Sequence, residues 1–245
     1  MSATYASKQQ ARQAVWDALQ REGMARFPFP PHGRIPNFEG AARAAGRLLA
    51  HPVFAQARRV KVDPDAPQRM VRLLALERGI TVFVPTPRLR AGFRRFDPAR
   101  IPPDKLAEAA SLTRGAKWGE TVPLRELPAM DLIVTGSVAV TRTGKRCGKG
   151  HGYGDLEYAI LRSLGHPEVP VATTVHPLQL VDDFPADAHD QPLHLIVTPD
   201  EVIEIAQPPP APPGIDWRLL TAQDLVAMPV LRELRAAPAR PRRDE

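Results

Sequence analysis

Gly144-Lys145-Arg146-Cys147-Gly148-Lys149-Gly150-His151-Gly152-Tyr153-Gly154-Asp155 is the stretch on which the reading of this chain turns. It holds five glycines and four residues able to carry positive charge, and it ends on an acid. An apolar, strand-like run precedes it at residues 131–134. Residues 155–165 follow as a helix, with Leu156, Ile160 and Leu164 on one face. A cationic, glycine-dense loop that opens a helix is a place where phosphate-like anions bind. Small residues let the backbone come close, and the helix N-terminus offers free N–H groups and a positive partial charge. The alternative is a flexible turn with solvated lysines. Neither common nucleotide motif fits. No Gly-Lys-Ser/Thr run exists for a Walker A loop, and a dinucleotide fingerprint begun at Gly148 and Gly150 meets Tyr153 where its third glycine belongs. Spacing alone indicates an anion loop without saying which anion.

Outward from the loop, strands alternate with helices. Residues 59–62, 80–84, 131–134, 138–141, 169–175, 193–197 and 202–205 read as strands, and residues 7–22, 39–50 and 102–112 as helices. Asp63 to Gln68 is a turn that opens a further helix through Leu76. This alternation predicts an α/β fold with a mostly parallel sheet flanked by helices. In such sheets ligands sit beyond the carboxyl ends of the strands, so the loops after Val62, Val84, Val134 and Val175 are expected to converge. Lys8 and Arg12 are four residues apart, so they share a face of the first helix. The proline-rich run at 27–38 is too aromatic for a free linker and is expected to pack on the body, with His32 and Arg34 as candidate ligand contacts. Residues 1–206 form one domain in this reading. Residues 207–214 are a stiff proline-rich spacer, and residues 215–245 an appendage, helical at about 221–234, that ends in a disordered basic tail carrying Arg235, Arg240, Arg242 and Arg243.

Composition narrows the class. An apolar share of 43% and a charged share of 24% suit a packed soluble core, and with only 6% aromatics that core must be filled by Leu, Val, Ile and Ala. The single cysteine, Cys147, excludes an internal disulfide framework and a cysteine-based zinc site, and suits a reducing cytoplasm. No apolar signal core or membrane-length run is present, so no membrane partner is expected. The net charge of +6 fits nucleic acid or polyanionic small ligands equally well.

Several motifs occur in order across residues 7–206: Lys8-x-x-x-Arg12; Phe-Pro-x-Pro-x-His-x-Arg-Ile-Pro-Asn-Phe at 27–38; Asp63-Pro64-Asp65-Ala66-Pro67-Gln68; Val84-Pro85-Thr86-Pro87-Arg88-Leu89-Arg90; Gly-x-Arg-x-Gly-x-Gly-x-Gly-Tyr-x-Asp at 144–155; and His189-Asp190 before the 193–198 run. Together they resemble the 5-formyltetrahydrofolate cyclo-ligase (methenyltetrahydrofolate synthetase) family, most closely its branch of methenyltetrahydrofolate synthetase domain-containing proteins. The resemblance implies a NagB/RpiA/CoA-transferase-like fold. It also implies ATP- and magnesium-dependent closure of 5-formyltetrahydrofolate, a reduced folate, to 5,10-methenyltetrahydrofolate. In that reaction ATP phosphorylates the formyl oxygen, N10 attacks the activated carbon and phosphate leaves. No protein nucleophile is required, in keeping with the lack of a persuasive nucleophile–base set here. Positioning and charge stabilisation carry such phosphoryl transfer.

By the resemblance, Lys8 and Arg12 meet the nucleotide phosphates. Arg146, Gly148, Lys149, Gly150, Gly152 and Tyr153 form the ATP-phosphate loop, with Arg146 and Lys149 as its catalytic charges. Asp155 is the acid of that loop and the magnesium ligand, and Tyr153, Asp65 and Gln68 fall on the substrate side. Cys147 fills space where the family has an apolar residue. There are departures: Gly136-Ser137 replaces the family's Pro-Gly, Thr141 stands for an acid, Gly154 stands for a second Tyr, and the glutamate that meets the pterin has no clear match. The ATP end is better kept than the folate end. Two other functions therefore stand beside the cyclo-ligase. One is a paralogue that binds a nucleotide or another heterocycle, folate- or thiamin-related, without ring closure. The other is an RNA-binding or interaction protein, suggested by charge and by the RNA-recognition domain appended in vertebrate relatives but disfavoured by the lack of an aromatic RNP pattern.

Overall fold

A computed structural model describes residues 3–111 and 113–236. The chain opens with α1 (Lys8–Arg21), whose N-terminus is capped by the Ser7 side chain accepting from the Gln10 N–H and whose buried face carries Ala11, Val15 and Leu19. Strands β1 (Ala25–Arg26) and β2 (Asn37–Phe38) pair antiparallel and tie down the proline-rich run between them, in which Phe27–Pro28 and Phe29–Pro30 are cis. Next come α2 (Ala41–Ala50), α3 (Pro52–Ala55), β3 (Arg59–Val62), α4 (Arg69–Glu77), β4 (Thr81–Pro85), β5 (Phe93–Phe96), α5 (Leu106–Ala109), β6 (Glu120–Val122) and β7 (Leu132–Thr135). A hairpin of β8 (Ala139–Thr141) and β9 (Arg146–Cys147) then leads through the glycine loop into α6 (Tyr153–Ser163). The remainder is β10 (Val171–Thr174), β11 (Leu180–Val181), β12 (Leu195–Val197), β13 (Val202–Glu204), α7 (Ala222–Ala227) and α8 (Pro229–Ala236).

Eight strands form the main sheet in the order β13-β12-β10-β7-β3-β4-β5-β6. The five from β12 to β4 run parallel, and β13, β5 and β6 join antiparallel at the edges. From β3 the chain steps outward through β4, β5 and β6, then returns to place β7 on the other side of β3. That reversal opens a crevice at the carboxyl ends of β3 and β7, the usual ligand position in open α/β sheets.

Strand alternation sends Val60, Val62, Val82, Leu132 and Val134 to one face, where Leu48 and Leu49 of α2 and Val71 and Leu76 of α4 cover them. Phe83 and Ile133 point to the other face, under Tyr158, Ile160 and Leu161 of α6. Lys61 points the same way and is fully buried. α1 packs with Ala139, Cys147 and Val181 of the small β11-β8-β9 sheet and with Val138 just before it.

The parallel strands and long helices fall within a few residues of their predicted places, and the edges differ. β5 and β6 are unexpected, because Phe93 and Phe96 are buried at a spacing of three with arginines between them, which breaks strand alternation. The helix expected at 102–112 is a 3₁₀ turn at Pro103–Lys105 followed by the four-residue α5; Leu112 lies outside the described residues. The 221–234 helix splits at Pro229, which has no N–H to continue α7 and instead starts α8. Met228, Val230 and Leu231 are buried in the same apolar cluster as Phe83 and Tyr158, so the segment called an appendage packs on the sheet's α6 side. Arg235, expected in the disordered tail, instead lies in the last turn of α8 with its guanidinium 6.0 Å from the Trp217 ring centroid, and Arg240, Arg242 and Arg243 lie outside the described residues. No helix among the described residues is long and apolar enough to cross a membrane.

Candidate functional site

The loops after β3, β4 and β7 meet at a cavity of about 470 Å³, closed on the remaining side by the glycine loop. The loop after Val175 does not line it: His176 instead caps a 3₁₀ turn, its Nδ1 accepting from the Leu178 N–H.

On the loop side the fixed charge is Arg146. Its side chain is almost wholly buried, Nη1 donates to the Gly136 carbonyl at 2.8 Å, and Nη2 is paired with Asp155. Asp155 Oδ1 also accepts the Gln191 N–H at 3.0 Å. Glycines flank this guanidinium: a Cβ at position 148 would lie 3.1 Å from Nη1, and one at 154 would lie 3.3 Å from Nη2. The looser charge is Lys149, whose ammonium is 3.2 Å from Asp65 Oδ1 and whose side chain is a third exposed. Burial raises the Asp65 carboxyl above its ordinary value, and Lys149 works against that shift. Arg72 of α4 holds the turn that presents Asp65, donating to the carbonyls of Asp63 at 2.5 Å and Asp65 at 3.2 Å.

The floor is an ionic group that sequence reading missed. Lys61 of β3 is paired with Asp63 and lies 2.5 Å from Glu157 Oε2 on α6. Asp63 Oδ2 accepts from Thr135 Oγ1 at 3.0 Å and from the Gly136 N–H at 2.8 Å. Burial would lower Lys61, but Asp63 and Glu157 outweigh it and hold the ammonium above its ordinary value. Burial would raise Asp63, but Lys61 and the Gly136 N–H hold it below its own. Glu157 goes the other way: burial pushes it up to about 8 against the pull of Lys61. A signal for Glu157 was present, since a carboxylate three and four residues before Ile160 and Leu161 sits on the apolar face of its helix.

Of the residues expected at the site, Arg146, Gly148, Lys149, Gly152, Tyr153, Asp155 and Asp65 line the cavity, as does Arg34. Arg12 reaches the loop from behind, its Nε donating to the Gly148 carbonyl at 2.7 Å and its guanidinium lying beside Gly150. Lys8 is 2.6 Å from both Asp187 and Asp190. Neither Lys8 nor Arg12 lines the cavity, and nor does Gly150. Gln68 is placed away from it: it is fully buried, with its Nε2 3.3 Å from Thr174 Oγ1. His32 pairs with Asp17 at 2.8 Å on the surface. Thr141 is turned into its own hairpin, with its hydroxyl on Thr143 and the Lys145 N–H. Cys147 is buried in the α1 cluster, and burial raises its thiol, as suits a space-filling residue. Asp187, His189 and Asp190 have ligand atoms within 4.8 Å of one another, but the Lys8 ammonium is already seated on both acids.

Residues 4–199 match the 5-formyltetrahydrofolate cyclo-ligase family. The chain is 44% identical over 237 residues to the methenyltetrahydrofolate synthase domain-containing protein of Mus musculus, with 94% of this chain and 63% of that one covered. It is 41% identical over 238 residues to the Homo sapiens protein of the same name, covering 94% of this chain and 62% of that one. The chain thus spans under two thirds of the length of these relatives. Its fold is similar to the solution structure of Aquifex aeolicus 5,10-methenyltetrahydrofolate synthetase, with a TM-score of 0.52 at 18% identity over 82% of this chain and 93% of that one.

Proposed function

This chain belongs to the 5-formyltetrahydrofolate cyclo-ligase family, and from that premise we propose that it closes 5-formyltetrahydrofolate to 5,10-methenyltetrahydrofolate with ATP. One observation carries the reading: a single cavity at the sheet's reversal point has the cationic glycine loop as one wall and the carboxylate-bearing Asp63–Asp65 turn as the other. A triphosphate on the first wall and a nitrogen heterocycle on the second would meet in the middle.

The formyl oxygen attacks the γ-phosphorus and ADP leaves. N10 then adds to the activated formyl carbon, the C–O bond breaks to release phosphate, and the N10 proton leaves with that phosphate. Lys149 is free to leave Asp65 for the transferring phosphoryl group, while Arg146 supplies a charge that does not reorganise. Gly148 and Gly152 let the loop backbone approach the phosphates, and Tyr153 stands at the start of α6 between the two walls. Arg12 holds the loop's shape through the Gly148 carbonyl, and Lys8 ties α1 to the 187–190 turn. Asp155 fits a magnesium ion as a protein ligand: Oδ1 is engaged by Arg146 and Gln191, Oδ2 accepts no hydrogen bond among the described residues, and this cation takes few carboxylates beside phosphates and water. When bound, magnesium would neutralise charge on the phosphates. The buried single thiol fits a cytoplasmic setting.

The test is a mixture of protein, ATP, magnesium and 5-formyltetrahydrofolate, followed by the absorbance of the methenyl product. A rise is expected, and no rise with ATP binding retained would refute the proposal. That outcome would favour the second reading, a paralogue that binds a nucleotide and another heterocycle without closing a ring. Thr141 favours it: the residue in place of the family's acid is locked into a hairpin turn away from the cavity.

A further inference from the structure

We propose that Arg34 and Arg88 form a second anion subsite at the mouth of the cavity, one that takes the carboxylates of a glutamyl tail carried by the heterocycle while the glycine loop takes the phosphates. The inference rests on the cavity being a nucleotide and heterocycle site, as in the function proposed above. It gives a partner to two charges that the proposed chemistry leaves unused.

Among the described residues, the arginines and lysines that line the cavity are Arg34, Arg88, Arg146 and Lys149. Arg146 is paired with Asp155 and Lys149 with Asp65. The guanidinia of Arg34 and Arg88 have neither an ion pair nor a hydrogen bond among the described residues, and both residues are exposed. Each is nevertheless presented by a built segment. The Arg34 carbonyl accepts from Trp16 Nε1 at 3.0 Å, and the Arg34 N–H donates to the Pro31 carbonyl at 3.2 Å. Ile35 is buried beside the Asp65 wall: a Cβ at Gly136 would stand 2.9 Å from Ile35 Cγ2 and 3.2 Å from Asp65 Oδ2. Arg88 stands in the loop after β4, and β4 lies on the far side of β3 from β7, the strand that Gly136 follows.

The backbone at Arg88 is an independent observation. Arg88 and Leu89 have φ of +54° and +52°, the left-handed region that side chains with a Cβ avoid. A glycine would hold this turn without strain, so a long side chain at 88 points to a use for that side chain. The surroundings hold the turn in place. Leu89 is buried and its N–H donates to the Thr86 carbonyl at 2.8 Å. Thr86 Oγ1 accepts from the Ala91 N–H and donates to the Gly92 carbonyl, both at 3.0 Å. The lining next to both arginines is apolar, with Pro28 and Ile35 on one segment and Pro85 and Pro87 on the other. A ligand that fits has a ring held inside the cavity, a flat apolar spacer on these side chains and an anionic end at the arginines. 5-Formyltetrahydrofolate is such a molecule: an aryl spacer joins its ring to a glutamate with two carboxylates. Guanidinium forks match carboxylates with paired, charge-assisted hydrogen bonds. They match phosphates as well, so the nucleotide is the rival source of the anion.

The experiment varies the tail of the ligand and the arginines together. Calorimetry measures binding of 5-formyltetrahydropteroate, which lacks the glutamate, of 5-formyltetrahydrofolate and of its triglutamate. The wild-type chain is expected to bind the two glutamyl compounds about tenfold or more tighter than the pteroate. In the double variant Arg34→Gln, Arg88→Gln the glutamyl compounds should weaken about tenfold and the pteroate less than about threefold. Arg88→Gly suits the left-handed turn, so it should fold as the wild type does and still lose part of the preference for the tail. Magnesium-ATP affinity should be unchanged in both variants. Weakened magnesium-ATP binding with the tail preference intact would give the arginines to the nucleotide and overturn the subsite. Equal weakening of all three folate compounds, or a preference that survives in the double variant, would overturn it too. Turnover to the methenyl product by a wild-type chain with no tail preference would sink the subsite and leave the cyclo-ligase reading standing. A tail preference that depends on the arginines, with no turnover, would do the reverse. A wild-type chain that binds none of the three folate compounds would end both.

Discussion

Replacing Lys61 with methionine tests the energetic logic of the cavity floor. The substitution preserves length and apolar contact, so packing changes little. It removes the one cation between Asp63 and Glu157, all three being buried. Removing one partner from a buried ion group costs about 3–5 kcal/mol. The lower end is expected here, because Asp63 keeps its donors from Thr135 and Gly136 and Glu157, already raised to about 8, holds a proton readily. With a urea dependence of about 3 kcal/mol per molar, the upper end of the usual range and fitting for a chain of this size, the unfolding midpoint should fall by about 1 M. The partner measurement is Lys61→Met combined with Glu157→Leu. Removing the second carboxyl should be less harmful, by about 1 kcal/mol or more, in the Lys61→Met background than in the wild type. A single-variant loss below about 1 kcal/mol, or strict additivity in the double variant, would show that the three groups are not an interdependent charge cluster.

Lys149→Ala should weaken ATP binding about tenfold or more by calorimetry while moving stability by less than about 1 kcal/mol, because its pair with Asp65 is partly exposed; an unchanged ATP affinity would remove the loop from the mechanism. Asp63 is held below its ordinary 3.8, burial being outweighed by Lys61 and the Gly136 N–H, so its stabilisation is complete above about pH 4 and lost as pH falls through the folded-state value. Urea midpoints from pH 6 to pH 3 should therefore drop less steeply for Asp63→Asn than for the wild type, and parallel curves would contradict the assignment. Leu231→Ala, at a fully buried position on α8, should cost about 2–5 kcal/mol by urea unfolding, whereas a surface appendage would register almost nothing.

The parallel strands were legible because both of their faces are buried, which leaves β-branched runs such as Val60, Val62, Val82 and Val84 in plain view. The glycine loop was legible because its charges and glycines are contiguous. What escaped was assembled from distant parts. Lys61 and Glu157 are 96 positions apart, and nothing in either local pattern says that a strand lysine and a helix glutamate share one buried contact. Gln68 looked available because the turn that carries it does reach the cavity through Asp65, but its own side chain faces β10. The edge strands β5 and β6 escaped because an antiparallel edge tolerates arginines such as Arg94 and Arg95 that a central strand would not.

The two glycines beside Arg146 carry a consequence for how this loop can change over evolutionary time. Position 154 in particular is open because the Arg146 guanidinium occupies the space where a side chain would stand. Gly148, Gly154 and Arg146 are therefore coupled in space: a Cβ at 148 would stand 3.1 Å from Nη1 and one at 154 would stand 3.3 Å from Nη2, so a larger residue at either position presses on the guanidinium. A larger side chain at 154 in this chain would therefore be accommodated only together with a small movement of the guanidinium, so the two positions are best varied as a pair.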